Sequence, residues 1–218
     1  MLGKKKKLLD KSELLESGLD ELKIQYTRKL IDKLLIYNDL LVKWNKVFNL
    51  TAIKEPQQVI THHFLDCMAV TPYIRSSRIL DVGAGAGLPG IVLALILPEA
   101  HITLVDKVGK KTAFIKQVIG ELDIKNAEVV HNRVEKMSHK DHFDGIITRA
   151  FSEMDFFIKL TRPLIKKDGY WYAMKSKKVL DQEMNSIDFP SELKKITVPF
   201  MDAERYLVTV QNLNHKLG

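Results

Sequence analysis

The stretch of this 218-residue chain best suited to chemistry is a run of alternate glycines opened by a carboxylate, Asp81-Val82-Gly83-Ala84-Gly85-Ala86-Gly87-Leu88-Pro89-Gly90. Glycines at these positions permit positive φ and let the backbone approach a bound molecule closely. Gly85-x-Gly87-x-x-Gly90 also satisfies the dinucleotide pattern G-x-G-x-x-G, which brings N–H groups and a helix N-terminus onto a pyrophosphate. A carboxylate at Asp81 would repel a phosphate but would accept an ammonium. S-adenosylmethionine has no phosphate and carries an ammonium and a sulfonium, so Asp81 favours the methyl donor over NAD. Asp106, 19 residues after Gly87, is placed to accept hydrogen bonds from both ribose hydroxyls, which either cofactor requires.

The elements that must position these residues read as an α/β fold. From Arg78 onward, β-rich runs alternate with helical stretches. Strands are expected at Ile79–Val82, Ile102–Val105, Glu128–Val130, Gly145–Thr148, Tyr170–Met174, Ile196–Val198 and Tyr206–Val210. Helices are expected at Pro89–Leu97, Gly109–Leu122, Met154–Ile165 and Val179–Ser186. About seven residues separate the last two strands, too few for a parallel crossover, so the seventh strand should run antiparallel in a mostly parallel sheet. In such a sheet, ligands bind in the crevice at the carboxyl ends of the strands.

Ahead of the sheet, Leu30, Leu34, Tyr37, Leu41 and Trp44 mark one apolar helix face, with Ile31 and Leu35 beside them. One or two amphipathic helices are expected over residues 19–51, and a further helix from Pro56 to Thr71, closed by Pro72. Residues 1–75 thus read as a helical extension packed on a domain of residues 76–218, the two forming one compact unit.

Composition narrows the partners. The single cysteine, Cys67, allows no internal disulfide and no cysteine metal cluster. His62, His63 and Asp66 offer only two ligand types, so packing or capping is expected there and no metal. The longest apolar run, Gly90 to Leu97, is far shorter than the roughly 20 residues that span a bilayer, and no apolar stretch follows Lys4–Lys7 as a leader would require. The chain is expected in the cytoplasm. Its 34 Lys and Arg against 27 Asp and Glu give a net charge of +7, with the excess largest at the front. That balance favours a polyanionic partner.

Taken together, Trp44-Asn45 with Asn49-Leu50-Thr51, His63-Phe64-Leu65-Asp66, the aspartate-led glycine loop, and Phe143-Asp144 with Arg149-Ala150 resemble the bacterial small-subunit ribosomal RNA guanine-N7 methyltransferase family, historically called glucose-inhibited division protein B. The resemblance runs from about Leu30 to Asn212. It implies the Rossmann-like class I methyltransferase sheet, S-adenosylmethionine as cofactor, and 16S ribosomal RNA as substrate, within a small subunit or an assembly intermediate. It also implies cofactor contacts at Gly83, Leu88, Val134, Glu135 and Arg149, with Asp106 as the ribose carboxylate. Lys107 replaces the family's usual serine, Lys110-Lys111 its Lys-Arg, and Lys175-Ser176 its Lys-Gly.

The chemistry expected of such a chain is spare. Strand four ends Thr148-Arg149-Ala150 and lacks the Asn/Asp-Pro-Pro-aromatic signature of exocyclic-amine methylation. Cys67 precedes the first strand and suits packing better than the covalent attack that cytosine-C5 methylation needs. Guanine N7 presents a lone pair and has no proton to lose, so no general base is expected and no catalytic residue is named. N7 lies on an edge buried in A-form RNA, so the target guanine must be looped or flipped out. Lys107, Lys110, Lys111 and Lys175 are the candidate RNA contacts, and a monomer is expected. The alternatives are an NAD-dependent oxidoreductase and a non-catalytic basic RNA-binding module.

Overall fold

A computed structural model of the chain describes residues 9–138, 140–149, 153–183 and 191–213. Lys4–Lys7, Ala150 and the end of the expected Val179–Ser186 helix lie outside them. Seven strands form one sheet: β1 (Arg78–Val82), β2 (His101–Asp106), β3 (Ala127–His131), β4 (Phe143–Thr148), β5 (Ile165–Ser176), β6 (Ser191–Ile196) and β7 (Arg205–Gln211). Their order is β3-β2-β1-β4-β5-β7-β6. Strands β1 to β5 pair in parallel, and β7 runs antiparallel to both of its neighbours, as the short β6–β7 connection requires. The chain order reverses between β1 and β4, which opens the crevice at their carboxyl ends.

Two of the front helices differ from expectation at an end, and one ends as expected. α1 (Lys11–Glu21) starts well before residue 19, at an Asp10 capping box in which Asp10 accepts the Glu13 N–H and Glu13 accepts the Asp10 N–H. It contains Gly18 because a Cβ there would overlap Leu65. α2 (Arg28–Phe48) is capped by Thr27 and closes at Asn49 in the left-handed conformation. The helix begun by α3 (Pro56–Val59) continues into α4 (Leu65–Met68) through a π-helical turn at Ile60–Phe64. Pro72 sits in a following 3-10 turn instead of closing the helix.

β6 covers Ser191–Ile196, not Ile196–Val198. It is an edge strand, mostly exposed, whose Glu192, Lys194 and Lys195 discourage pairing with another chain and hide its strand pattern. The expected Met154–Ile165 helix is α7 (Met154–Thr161) followed by a 3-10 turn at Arg162–Leu164, and Ile165 already belongs to β5. α8 begins at Lys177 and runs to Glu183.

The core has two halves. α5 (Gly90–Ile96), α6 (Gly109–Glu121) and the front helices cover one face of the sheet, and α7 with α8 covers the other. The expected α2 face holds: Ile31, Leu34, Tyr37 and Leu41 are fully buried. Tyr37 stacks on Phe64 at 4.9 Å and donates its hydroxyl to the Ala86 carbonyl at 2.6 Å, which ties the helical front to the glycine loop. Trp44 packs against Phe114 of α6 at 5.4 Å, and Asn45 bonds Thr51 and Ile53, so both brace the front against the sheet domain.

Candidate active site

Backbone geometry explains the glycine loop. Gly83, Gly85 and Gly87 have φ of 72, 60 and 85°, values that favour glycine. A Cβ on Gly87 would lie 2.7 Å from Ile91 and 3.0 Å from the Tyr37 hydroxyl. At Gly85 it would meet nothing nearer than the Gly83 carbonyl at 3.7 Å, so that turn is open on its outer side.

Asp106 holds this loop from the end of β2. Its Oδ2 accepts the Gly85 N–H and its Oδ1 the Val108 N–H, both at 2.9 Å, and Lys111 Nζ lies 3.8 Å away. A carboxylate offers about four lone-pair positions, so two remain after these bonds. Beside it opens a cavity of about 380 Å³ whose walls include Gly83, Asp106, Lys107, Val134 and Glu135. The volume falls in the roughly 300–1,000 Å³ range of small-molecule sites. Val82, Val105, Val134 and Leu160 supply apolar surface for a flat heterocycle, and the free lone pairs of Asp106 suit two adjacent hydroxyls. These residues fit an adenosine.

Asp81 is not in that wall. Alternation along β1 turns Leu80 and Val82 to one face and Asp81 to the other, against α5. There it is fully buried, with Oδ2 accepting the Gly90 N–H at 2.7 Å and Oδ1 without a hydrogen-bond partner among the described residues. Burial raises its pKa to about 7, against the lowering effects of the Gly90 bond and Arg149. Asp81 thus receives the first N–H of α5 and sets the loop from beneath, and Oδ1 is the oxygen on which the expected ammonium contact would rest. Gly85, Gly87 and Leu88 likewise shape the loop without lining the cavity.

Arg149 lies elsewhere. It lines a second cavity, of about 350 Å³, with His63, Asp66, Lys175 and Arg205. Its Nη2 donates to His63 Nδ1 at 2.8 Å, and its Nη1 donates to Asp66 Oδ2 at 3.4 Å. The His62 carbonyl also lies 3.1 Å from Nδ1; in the tautomer whose Nδ1 accepts from Arg149, which only donates, Nε2–H donates to Thr51 Oγ1 at 2.7 Å. Burial first, and the Arg149 charge second, lower the His63 pKa to about 3, which keeps it neutral. Asp66 is pushed upward by burial and pulled back by Arg149 and Arg205. The π-turn carries His63 to this position, a use of such turns common at functional sites. Packing or capping is what the sequence alone suggests for His63 and Asp66, and the structure brings both to Arg149.

The lysines separate in the same way. Lys107 and Lys111 stand at the first cavity, and Lys110 is exposed and lines neither. Lys175 is no solvent-facing contact: β5 extends past Met174, so this side chain is buried within the strand at the second cavity. Among the described residues no group of His, Cys, Asp and Glu is arranged to hold a metal ion.

The family model GidB, described as rRNA small subunit methyltransferase G, matches residues 30–208. The chain belongs to this family. A family relative named Ribosomal RNA small subunit methyltransferase G, from Methylobacillus flagellatus, is 45% identical over 195 residues, 89% of this chain and 95% of its own. One of the same name from Francisella philomiragia is 42% identical over 197 residues, 90% of this chain and 96% of its own. Solved structures similar in fold include a SAM dependent methyltransferase from Aquifex aeolicus, with TM-score 0.57 and 15% identity over 76% of this chain and 97% of that one. Another is M. jannaschii TYW2 in complex with AdoMet, with TM-score 0.54 and 16% identity over 73% of this chain and 78% of that one. At those identities they show the fold, the Rossmann-like sheet of S-adenosylmethionine-dependent methyltransferases. The cofactor of the family is S-adenosylmethionine, and its substrate is small-subunit ribosomal RNA.

Proposed function

We propose that this chain transfers the methyl group of S-adenosylmethionine to N7 of a guanine in 16S ribosomal RNA. The observation that carries the reading is the pair of cavities along one sheet edge: the first ends at β1 and the second begins at β4, on either side of the switch point. In this reading Asp106 receives the ribose hydroxyls, and Val134 with Glu135 borders the adenine. Gly83 and the loop beneath Leu88 receive the amino-acid end, and Arg149 would approach it from the second cavity.

When bound, the cofactor supplies an electrophilic methyl on a cationic sulfur. The guanine N7 lone pair would form the new bond as the carbon–sulfur bond broke, with sulfur keeping the electron pair, so the chain would need to move no proton. The chain's own groups suit this. Cys67 is fully buried, its thiol pushed up to about 12 by burial, so it makes no nucleophile for covalent ring attack. His63, with a pKa of about 3, is a poor general base at neutral pH. What remains for the protein is positioning, an effect that can be worth roughly 7–11 kcal/mol.

Lys107, Lys110 and Lys111 lie beside the first cavity or on the helix bordering it, where an RNA backbone would meet them. The substrate in this reading is the small subunit or an assembly intermediate, met in the cytoplasm by a monomer in which residues 1–75 and 76–218 act as one unit. No helix among the described residues is long and apolar enough to cross a membrane. The test incubates the protein and labelled S-adenosylmethionine with small subunits from cells lacking this gene, then maps label and cleavage at N7-methylguanine. Label at N7 of one guanine supports the reading, and label on another atom refutes it. Competition by NADH for the cofactor would instead favour an oxidoreductase, and binding of neither cofactor a plain RNA-binding module.

A further inference from the structure

The second cavity holds a buried carboxylate, Asp66, that is not among the cofactor contacts the resemblance implies. Asp66 is 4% exposed and lines it, yet its Oδ1 has no hydrogen-bond partner among the described residues. Arg205 Nε forms an ion pair with that oxygen at 3.3 Å. The two arginines offset part of the carboxylate's desolvation, and it keeps lone pairs that N–H donors of a ligand would fill. Arg149 stands next to it, its guanidinium donating to His63, Asp66 and Cys67 Sγ, with a quarter of its side chain exposed.

We propose that this cavity is the acceptor site and that it reads the Watson–Crick edge of the target guanine: Asp66 accepts the N1–H and N2–H donors, while Arg149 donates to O6. The inference rests on the guanine reading given above and deepens it by naming the residues that select the base. Held by that edge, the base turns N7 away from Asp66, leaving it open toward the switch point where β1 and β4 meet. Thr148 Oγ1 donates to the Val82 carbonyl at 3.0 Å there, so the two cavities share a rigid seam. Adenine would set its N1 lone pair against the carboxylate and its amino group against Arg149, so the same pair rejects it. His63 acts through Arg149: as a neutral acceptor fixed by Thr51, it positions the guanidinium without adding a charge.

The test uses nucleosides as inhibitors of methylation of small subunits, with the full chain and saturating S-adenosylmethionine. Guanosine should inhibit, inosine, which lacks only the 2-amino group, about tenfold less, and adenosine not measurably. In Asp66→Asn, guanosine and inosine should inhibit alike, while calorimetric titration shows S-adenosylmethionine binding within a few-fold of wild type. The comparison of nucleosides on the wild-type protein stands even if that variant folds poorly. Equal inhibition by guanosine and inosine, no inhibition by guanosine up to its solubility, or discrimination that survives Asp66→Asn each overturns the inference. If the wild-type protein labels no small-subunit RNA at all, the underlying guanine reading fails instead.

Discussion

Replacing Asp106 by asparagine separates holding the cofactor from holding the loop. The carboxylate accepts two backbone N–H groups at 2.9 Å, one on each oxygen, and its side chain is 5% exposed. Asparagine has one acceptor oxygen, so its NH₂ must face either the Gly85 or the Val108 N–H. A buried donor left facing a donor costs about 1–3 kcal/mol of stability. On the cavity side, one ribose hydroxyl loses a charged acceptor, about 1.5–3 kcal/mol, or roughly 10- to 150-fold in affinity. Calorimetry with S-adenosylmethionine, at a temperature where circular dichroism shows the variant folded, reads the second effect, and the shift in Tm reads the first. A Kd within twofold of wild type together with a lowered Tm would show that Asp106 only braces the loop, and the ribose assignment would fall.

Asp81, whose folded pKa of about 7 lies above the ordinary carboxylate value, binds its proton more tightly in the folded state than in the unfolded one. Its contribution should therefore make stability fall as pH rises from about 4 to 7, by up to about 1.4 kcal/mol per unit, and Asp81→Asn should flatten that slope in denaturant titrations. His63 behaves oppositely on acidification: its folded pKa of about 3 is below the unfolded value, so stability present at pH 7 is lost progressively below about pH 6.5. His63→Gln should weaken that loss, and an unchanged acid limb would contradict the neutral assignment. Cys67 should resist thiol reagents until the protein unfolds, and Cys67→Ala should still methylate small subunits. Abolished activity in a folded Cys67→Ala protein would reopen covalent catalysis. Gly87→Ala, facing both a positive φ and the 2.7 Å approach to Ile91, should lower stability by about 1–3 kcal/mol by thermal melting.

The parallel strands and the glycine loop were legible because buried strands read as unbroken apolar runs and because positive φ selects glycine. Elements whose character depends on neighbours were harder to see. β6 carries Glu192, Lys194 and Lys195 because it is an edge, so its pattern resembles a loop. α1 contains Gly18, which reads as a helix breaker until Leu65 is seen filling the space. For the site, Asp106 was readable from its distance to the glycines. Which face Asp81 takes was not, since it depends on the register and pleat of β1. His63 and Asp66 reach Arg149 across 86 and 83 residues of sequence, through a π-turn that no local pattern announces.

The central claim is that two adjacent cavities divide the work, with the cofactor in the first. A crystal structure with S-adenosylhomocysteine measures this directly. The ribose hydroxyls should lie on Asp106, the adenine beside Val134 and the amino-acid end at Gly83, with Asp66 left free of the cofactor. Density for that molecule between Arg149 and Asp66, or a ribose turned away from Asp106, would contradict it.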